Sequence, residues 1–226
     1  MKQFEIVTTP IQTEPYREFT LNEHQGAMVM FTGHVREWTK GVKTEYLEYE
    51  AYIPMAEKKM AQIGQEIEEK WPGTVTTIVH RIGPLQISDI AVLIVVSSPH
   101  RKYAYQANEY AIERIKEIVP IWKKEIWEDG SEWQGHQKGS YEESQRGSEM
   151  KVLYFAELKD MINQQSESID LSEKVTVEVF KDLLLQRHPE LTHKQFQIAV
   201  NEEFVKDKDM IGSGDTVALI PPVSGG

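Results

Sequence analysis

The sequence predicts an α+β protein built from two domains, and three observations lead to this fold class. Strand-like and helix-like segments are mixed through the first part of the chain. A polar stretch without apolar periodicity then interrupts the pattern near residue 140. Beyond it, three further strand-like runs accompany a single helix. A chain of 226 residues is long enough for two such domains, each with its own core.

The first domain is predicted to contain at least four strands and two helices. Runs rich in apolar, aromatic or alternating residues predict strands over 26–31, 44–52, 76–79 and 91–96. The last of these runs is apolar throughout, which predicts burial on both faces of a sheet. Two helices are expected, one over 54–71 that opens on Pro54 and one over 102–119 that Pro120 ends.

The second domain is predicted to be ubiquitin-like. Strands are expected over 151–155, 196–200 and 216–220, and a helix over 177–187 that ends before Pro189. The polar residues Asn201-Glu202-Glu203 predict the turn of a hairpin over 197–205. Strands around one helix in a segment of this length match the β-grasp arrangement.

The domain boundaries follow from the polar stretch. We predict a first domain over 1–136, a linker over 137–149 that is rich in small and charged residues, and a second domain over 150–226. Met150 opens directly into an apolar strand, as the first residue of a separate protein would. It is either the start of a once independent chain that was joined here or an ordinary methionine at a boundary, and the local sequence leaves both open.

Composition excludes several classes of function. The formal net charge of −11 disfavours broad binding to nucleic acid or to an anionic membrane surface, so any anion site must be a focused pocket. No run approaches the roughly 20 apolar residues of a membrane span, and the first residues do not resemble a signal peptide, so we expect a cytoplasmic protein. The absence of cysteine excludes disulfides, thiolate nucleophiles and persulfides. The seven histidines show no metal-binding spacing, so no metal is expected.

The last six residues, Pro221-Pro222-Val223-Ser224-Gly225-Gly226, have the properties of an insertable tail. Two prolines favour a stiff, extended backbone, and glycines let a backbone pass through a narrow channel. A terminal glycine carboxylate is unhindered and can be activated as an acyl-adenylate and converted to a thiocarboxylate. In a chain without cysteine, Gly226 is therefore a candidate position for sulfur. The alternative is an ordinary flexible terminus.

Cationic residues form three groups in the first domain: Arg36, then His100 with Arg101, then Lys116 with Lys123 and Lys124. In an acidic protein these groups suggest one anion site, in which arginine binds a phosphate and a lysine crowded by other cations has a lowered pKa and transfers protons. The alternative reading places both Lys116 and Lys123 on a solvated helix face and the loop after it, with His100 as a helix cap and Arg36 in a surface ion pair.

Several motifs resemble the molybdopterin synthase family. The segments Phe31-Thr32-Gly33-His34-Val35-Arg36, Ser97-Ser98-Pro99-His100-Arg101 and Pro120-Ile121-Trp122-Lys123-Lys124-Glu125 are similar to its large, catalytic subunit, as are 47–52 and 80–83. Residues 150–226 resemble its small, sulfur-carrier subunit. The resemblance covers nearly the whole chain apart from the linker.

This resemblance implies an α/β-hammerhead-type catalytic domain followed by a β-grasp carrier, acting as a sulfurtransferase. The substrate would be cyclic pyranopterin monophosphate, which receives two sulfurs to become molybdopterin, the dithiolene ligand of molybdenum cofactor. The sulfur would arrive as a Gly226 thiocarboxylate made by a separate adenylating and sulfur-transferring enzyme, with no other cofactor. The family also implies a homodimer through the catalytic domain.

The resemblance further assigns roles to individual residues. Lys116 and Lys123 match catalytic lysines, and Gly226 matches the sulfur-bearing position. The expected substrate-binding residues are Phe31, Arg36, His100, Arg101 and Lys124. Lys138 lies where the family can have a pocket arginine, and whether it substitutes is open. The competing interpretation is a ubiquitin-like protein modifier, or an interaction module, on a non-catalytic scaffold.

Overall fold

The computed structural model describes residues 1–39, 41–127, 130–134, 149–171 and 173–224. Two compact units are present, one formed by Met1–Gln134 together with the tail residues Val223 and Ser224, and the other ending at Pro222. Apart from Glu149, the predicted linker over 137–149 lies outside the described residues, and so do Lys138 and Gly226. No helix in the described ranges is long and apolar enough to cross a membrane.

The first unit contains ten strands and three helices within its described residues. The strands are β1 (Phe4–Val7), β2 (Ala27–His34), β3 (Trp38–Thr39), β4 (Val42–Lys43), β5 (Tyr46–Ala51), β6 (Val75–Arg81), β7 (Gly83–Gln86), β8 (Ile90–Ser98), β9 (Ile121–Trp127) and β10 (Gly130–Gln134). The helices are α1 (Thr13–Thr20), α2 (Ile53–Lys70) and α3 (Arg101–Ile118).

The main sheet of this unit has the strand order β1-β6-β8-β2, and β8 lies inside it as its apolar sequence predicts. Side chains alternate between the two faces of a strand. Val92, Ile94 and Val96 accordingly pack into the core that includes residues of α2 and α3. Leu93 and Val95 pack on the other face with Ile11 and Tyr16, the latter from α1. Burial of β8 on both faces is therefore confirmed.

A second sheet with the order β10-β9-β5-β7 carries the strand that follows α3. In β9, Lys123 lies opposite Tyr49 of β5 and Lys124 lies opposite Glu48. Pro120 ends the helix as predicted, but the chain then enters a strand of seven residues rather than a loop. Lys123 is therefore positioned by this second sheet and does not lie in a loop.

The second unit contains seven strands, two helices and a 3-10 turn within its described residues. The strands are β11 (Met150–Tyr154), β12 (Ser166–Ile169), β13 (Val175–Thr176), β14 (Gln197–Val200), β15 (Glu203–Phe204), β16 (Met210–Ile211) and β17 (Thr216–Ile220). The helices are α4 (Ala156–Ile162) and α5 (Val177–Arg187), and the 3-10 turn is Pro189–Leu191.

The sheet of the second unit has the order β12-β11-β17-β14-β15, with β11 and β17 parallel at its centre and the other pairs antiparallel. Phe180 and Leu184 of α5 pack into the core of the unit with Val152 and Val217. A mixed sheet with parallel first and last strands and one main packed helix is the β-grasp arrangement, so the predicted α+β class with a ubiquitin-like second domain is confirmed.

An ion-pair network joins β12 to the end of α5. The buried carboxylate of Glu167 accepts hydrogen bonds from Tyr154 and from His188, whose Nε2 lies 2.6 Å from Oε1. Arg187 Nε lies 2.7 Å from the other oxygen of the same carboxylate. Burial alone would raise the pKa of Glu167, but the hydrogen bonds from Tyr154 and His188 outweigh it and lower the pKa below its ordinary value.

Candidate functional site

The tail lies against β9, at the strand that carries a predicted catalytic lysine. The Ser224 N–H donates to the carbonyl oxygen of Ile121 at 3.0 Å. In the other direction, the backbone N–H of Lys123 donates to Ser224 Oγ at 3.2 Å. Ser224 is half-buried, and it belongs to the same compact unit as β9. The tail is therefore held by hydrogen bonds to a rigid strand.

Lys123 shares one face of β9 with Glu125, because residues two apart on a strand point the same way. Its Nζ lies 4.0 Å from Oε1 of Glu125, and the Glu125 side chain is only 3% exposed. Lys124 points to the opposite face, the side that Glu48 shares across the sheet. The two neighbouring lysines consequently cannot serve one pocket in the same way.

Tyr49 and His80 form an uncharged layer beside Lys123. Tyr49 is directly opposite Lys123 in the sheet, and its ring meets the His80 ring edge-on with centroids 4.9 Å apart. Burial, and secondarily the Glu125 carboxylate, raises the pKa of Tyr49. Burial lowers the pKa of His80 to about 4, against a hydrogen bond with the Arg81 carbonyl. Both rings are therefore neutral at neutral pH, and Tyr49 lies next to the ion pair as an uncharged neighbour.

Lys116 lies in the last turn of α3, where the partial negative charge of the helix end favours a cation. Its Nζ is 3.7 Å from Oε1 of Glu113, one helical turn earlier, and the side chain is about half exposed. The connection Val119-Pro120 separates this turn from β9. Lys116 and Lys123 therefore flank one short connection, and each has a carboxylate nearby.

Arg36 lies at the same end of the main sheet as Lys116. Asn108, midway along α3, donates to carbonyl oxygens of Val29 and Ile94 in the strands beneath it. From Asn108 to Lys116 the helix advances about 12 Å, and from Ile94 back to Ile90 the strand spans about 13 Å. Ile90 pairs with His34 of β2, two residues before Arg36. The exposed Arg36 thus follows β2 where α3 ends.

His100 and Arg101 lie at the opposite end of the same helix. His100 is the residue immediately before α3 and Arg101 is its first residue, and both are exposed. His100 occupies the N-cap position of α3, as the capping alternative has it, but its side chain makes no capping hydrogen bond. Fifteen residues of helix place Arg101 about 22 Å from Lys116. Within one copy of the chain, the length of α3 therefore separates His100 and Arg101 from Lys116 and Arg36.

The remaining predicted residues divide into two kinds. Phe31 lies within β2 opposite Ile94 and packs, half-buried, against the hydrophobic core of the unit. Gly226 and Lys138 lie outside the described residues, so their predicted roles stay predictions. Within the described ranges, no three His, Asp or Glu side chains are grouped so that they could hold a metal ion.

Sequence reasoning missed three contributors to this site: Ser224, Tyr49 and Glu125. Ser224 carries the only hydrogen-bonding side chain in residues 221–226, which is a signal that could have singled it out. Tyr49 and Glu125 come next to Lys123 only through the pairing of β5 with β9, and strand pairing between distant segments has no local signature.

Comparison with known proteins gives two family matches on this chain. Residues 6–118 match the MoaE protein family, and residues 152–226 match the ThiS family. The molybdopterin synthase catalytic subunit of Staphylococcus aureus strain COL is 88% identical over 146 residues, which is 65% of this chain and 99% of that protein. The catalytic subunit from Staphylococcus epidermidis is 84% identical over 147 residues, covering 65% of this chain and 98% of that protein.

Solved structures also align with a part of this chain. The crystal structure of molybdopterin synthase from Staphylococcus aureus aligns with a TM-score of 0.59 at 88% identity, covering 60% of this chain and 99% of that one. A MoaE protein from Burkholderia ambifaria aligns with a TM-score of 0.51 at 31% identity, covering 59% of this chain and 88% of that one. The two structures cover 60% and 59% of this chain, and the two catalytic subunits cover 65% of it.

Proposed function

Because the chain belongs to the MoaE protein family and carries a ThiS-family segment after it, we propose that it is a molybdopterin synthase with its sulfur carrier in the same polypeptide. Its role is in molybdenum cofactor biosynthesis. The observation that carries this proposal is the contact of Ser224 with Ile121 and Lys123, since it brings the tail of the carrier segment to the strand of a predicted catalytic lysine.

The proposed reaction moves sulfur from Gly226 to cyclic pyranopterin monophosphate. The Gly226 thiocarboxylate sulfur attacks a pterin side-chain carbon that bears an oxygen, so that a carbon–sulfur bond forms, the carbon–oxygen bond breaks and a thioester links tail and pterin. The oxygen leaves with the phosphate or, once protonated, as water. Water then cleaves the acyl–sulfur bond, which leaves sulfur on the pterin and returns a glycine carboxylate. Lys123 is proposed to exchange the proton that these steps require, with Lys116 close by in the chain. Arg36 is proposed to bind the substrate phosphate.

Two sulfurs per product require two deliveries by the tail. After each delivery the tail must leave β9, be recharged and return. Recharging is proposed to be the work of a separate adenylating and sulfur-transferring enzyme. Residues 150–226 hold 13 acidic and 8 basic side chains, a net charge of −5, which favours encounter with a basic surface on that enzyme.

A homodimer through the first unit would complete the cationic pocket. One copy places Lys116 and Arg36 at one end of α3 and His100 with Arg101 about 22 Å away at the other. A second copy can supply the missing pair to each site. The strand β2 is the edge of its sheet in the described part of one copy, and a long edge strand of this kind is normally covered. Both observations support the dimer.

Mass spectrometry of the intact chain tests the carrier role. After incubation with the activating enzyme, ATP and a sulfur donor, we expect the mass gain of one oxygen-to-sulfur exchange at the C-terminus. Adding cyclic pyranopterin monophosphate should then reverse the gain and yield molybdopterin. An isopeptide link between this terminus and another protein would instead support the protein-modifier alternative and contradict the proposal.

A further inference from the structure

Ser224 makes two hydrogen bonds to β9, and the second uses its side chain. We propose that Ser224 is a positioning residue whose hydroxyl fixes the register of the tail on β9 and so sets where Gly226 stands relative to Lys123. This inference rests on the proposed function, in which Gly226 carries the sulfur.

The Ser224 hydroxyl is the only side-chain group in residues 221–226 that can form a hydrogen bond. Pro221 and Pro222 have no backbone N–H to donate, and the other three residues have no hydrogen-bonding side chain. The main-chain bond from Ser224 to Ile121 fixes one point of the tail on β9. The bond from Lys123 to Ser224 Oγ adds a second point two residues along the strand.

Register at Ser224 matters because the reacting atom is close to it in the chain. Two residues extend at most about 7 Å, so an error at Ser224 passes almost undiminished to Gly226. A slip of one residue along a strand is about 3.3 Å and also reverses the direction of every side chain. Misplacement of reacting groups by about 1 Å can cost on the order of a hundredfold in rate.

Lys123 is the residue of β9 to which the Ser224 side chain is bonded, so it fixes the register of the tail on this strand. The backbone N–H of Lys123 holds Ser224, while its side chain on the same residue is the proposed proton carrier. Because β9 is paired with β5 and β10 on its two sides, this backbone is rigid. The backbone of Lys123 thus positions the tail, and the side chain of the same residue is proposed to transfer the proton.

Three variants of the full chain test the inference. Ser224→Ala removes the hydroxyl and keeps the main-chain bond, whereas Ser224→Thr keeps a hydroxyl and suits an extended backbone. Ser213→Ala is the matched control, since it removes a hydroxyl that bonds the Leu171 carbonyl at an exposed loop of the carrier. Each chain is charged to the thiocarboxylate, and the single-turnover rate of sulfur transfer to the pterin is measured.

We expect Ser224→Ala to transfer sulfur about fivefold more slowly, as loss of one hydrogen bond predicts, with charging unchanged. Ser224→Thr should recover most of the rate, and Ser213→Ala should match the unaltered chain. A Ser224→Ala rate equal to that of the unaltered chain would overturn the inference. So would a Ser224→Thr chain that is as slow as Ser224→Ala.

Amide hydrogen exchange at Lys123 provides a readout that does not depend on activity. The Lys123 amide should exchange about fivefold faster in Ser224→Ala than in the unaltered chain, while amides of β5 keep their rates. Unchanged exchange at Lys123 would show that the hydroxyl does not hold the tail, whatever the activity. If the unaltered chain transfers no sulfur, the proposed function fails, and the exchange rates alone decide whether Ser224 sets the register.

Discussion

Lys123 and Lys124 are neighbours in sequence, but they point to opposite faces of β9. The sequence marks both as candidates, because a Lys-Lys pair carries no information about which side chain faces a pocket. The run from Ile121 to Glu125 also lacks the apolar alternation that would have predicted a strand. Only the pairing of β9 with β5 separates the two lysines, with Glu125 beside one and Glu48 across from the other.

The two lysines should therefore respond differently to substitution. Lys123→Ala should lower the rate of sulfur transfer by about a hundredfold or more, the usual contribution of a proton-transfer group. Lys124→Ala should lower the rate much less than Lys123→Ala, because the Lys124 side chain points to the other face of β9. Circular dichroism and tryptophan fluorescence should show both variants folded. Equal losses of activity in the two variants would refute this assignment of faces.

The Glu167 carboxylate is expected to make the carrier domain sensitive to acid. Its pKa is lowered in the folded state, so it stabilises the fold above its unfolded pKa, near 4.3. That stabilisation is lost as the pH falls through the folded pKa. Glu167→Gln should lower the free energy of unfolding of this domain by about 2 kcal/mol at pH 7. The difference from the unaltered chain should shrink as the pH falls below about 4.

Hydrogen exchange in β11 and α5 measures this effect, and the tryptophans provide an internal control. All five tryptophans lie before residue 134, so their fluorescence reports on the first unit alone. The fluorescence transition should be the same with and without Glu167→Gln. A difference in exchange that grows on acidification would have the wrong sign and would contradict the prediction.

At the scale of elements, the sequence predicts best where local signals and packing agree. The helix Val177–Arg187 and the strand Thr216–Ile220 have the predicted bounds. Thr176 caps the helix by accepting from the Val179 N–H, and Pro189 follows its end. The predicted hairpin is confirmed, with Asn201 and Glu202 both at positive φ in its turn.

Elements without such signals were missed. The helix Thr13–Thr20 begins without a capping side chain and has Pro15 in its first turn. The helix Ala156–Ile162 has seven residues and is too short to show a helical period. Several short strands, β7 and β12 among them, exist because a partner strand pairs with them rather than because of their own sequence. Tertiary pairing supplies what local sequence lacks.

Gly64 sets how closely α2 approaches β1, and this gives a test at the scale of elements. A Cβ at Gly64 would stand 2.3 Å from the end of the Phe4 ring. Gly64→Ala should gain about 1 kcal/mol from helix propensity and lose about 1–3 kcal/mol through overpacking, so a net destabilisation is expected. In a Phe4→Ala background the same change should stabilise. Urea denaturation followed by tryptophan fluorescence distinguishes the two signs.

For the whole molecule, the two domains could be predicted from sequence, but the division of the cationic site could not. The motifs that contain Arg36, His100 and Lys116 are ordered along the chain and suggest one pocket. The length of α3, which the sequence predicts within one residue at each end, already implies that its two ends are about 22 Å apart. Combining the motifs with the helix length would have separated the two cationic groups within one copy of the chain.

Complementation between inactive variants tests whether two copies share a site. A chain with His100→Ala and Arg101→Ala and a chain with Lys123→Ala should each be inactive. Dimers reassembled from an equal mixture should recover about a quarter of the full activity, because half of them are mixed and each mixed dimer has one intact site. The control is a mixture prepared without dissociating the dimers, which should stay inactive. Continued inactivity after reassembly, with mixed dimers shown by mass spectrometry, would mean that no site is shared.

The main-chain hydrogen bond between Ser224 and Ile121 also affects which carrier can deliver sulfur at β9. A main-chain hydrogen bond does not depend on the side chain of the donor residue, so the glycine-rich end of an unrelated carrier can make the same bond to β9. Joining the carrier to the synthase gives its own tail an effective concentration on the order of millimolar, provided that the linker can span the sites. A free competitor at micromolar abundance is then outnumbered about a thousandfold. Covalent fusion thereby favours the chain's own tail over free carriers through its higher effective concentration.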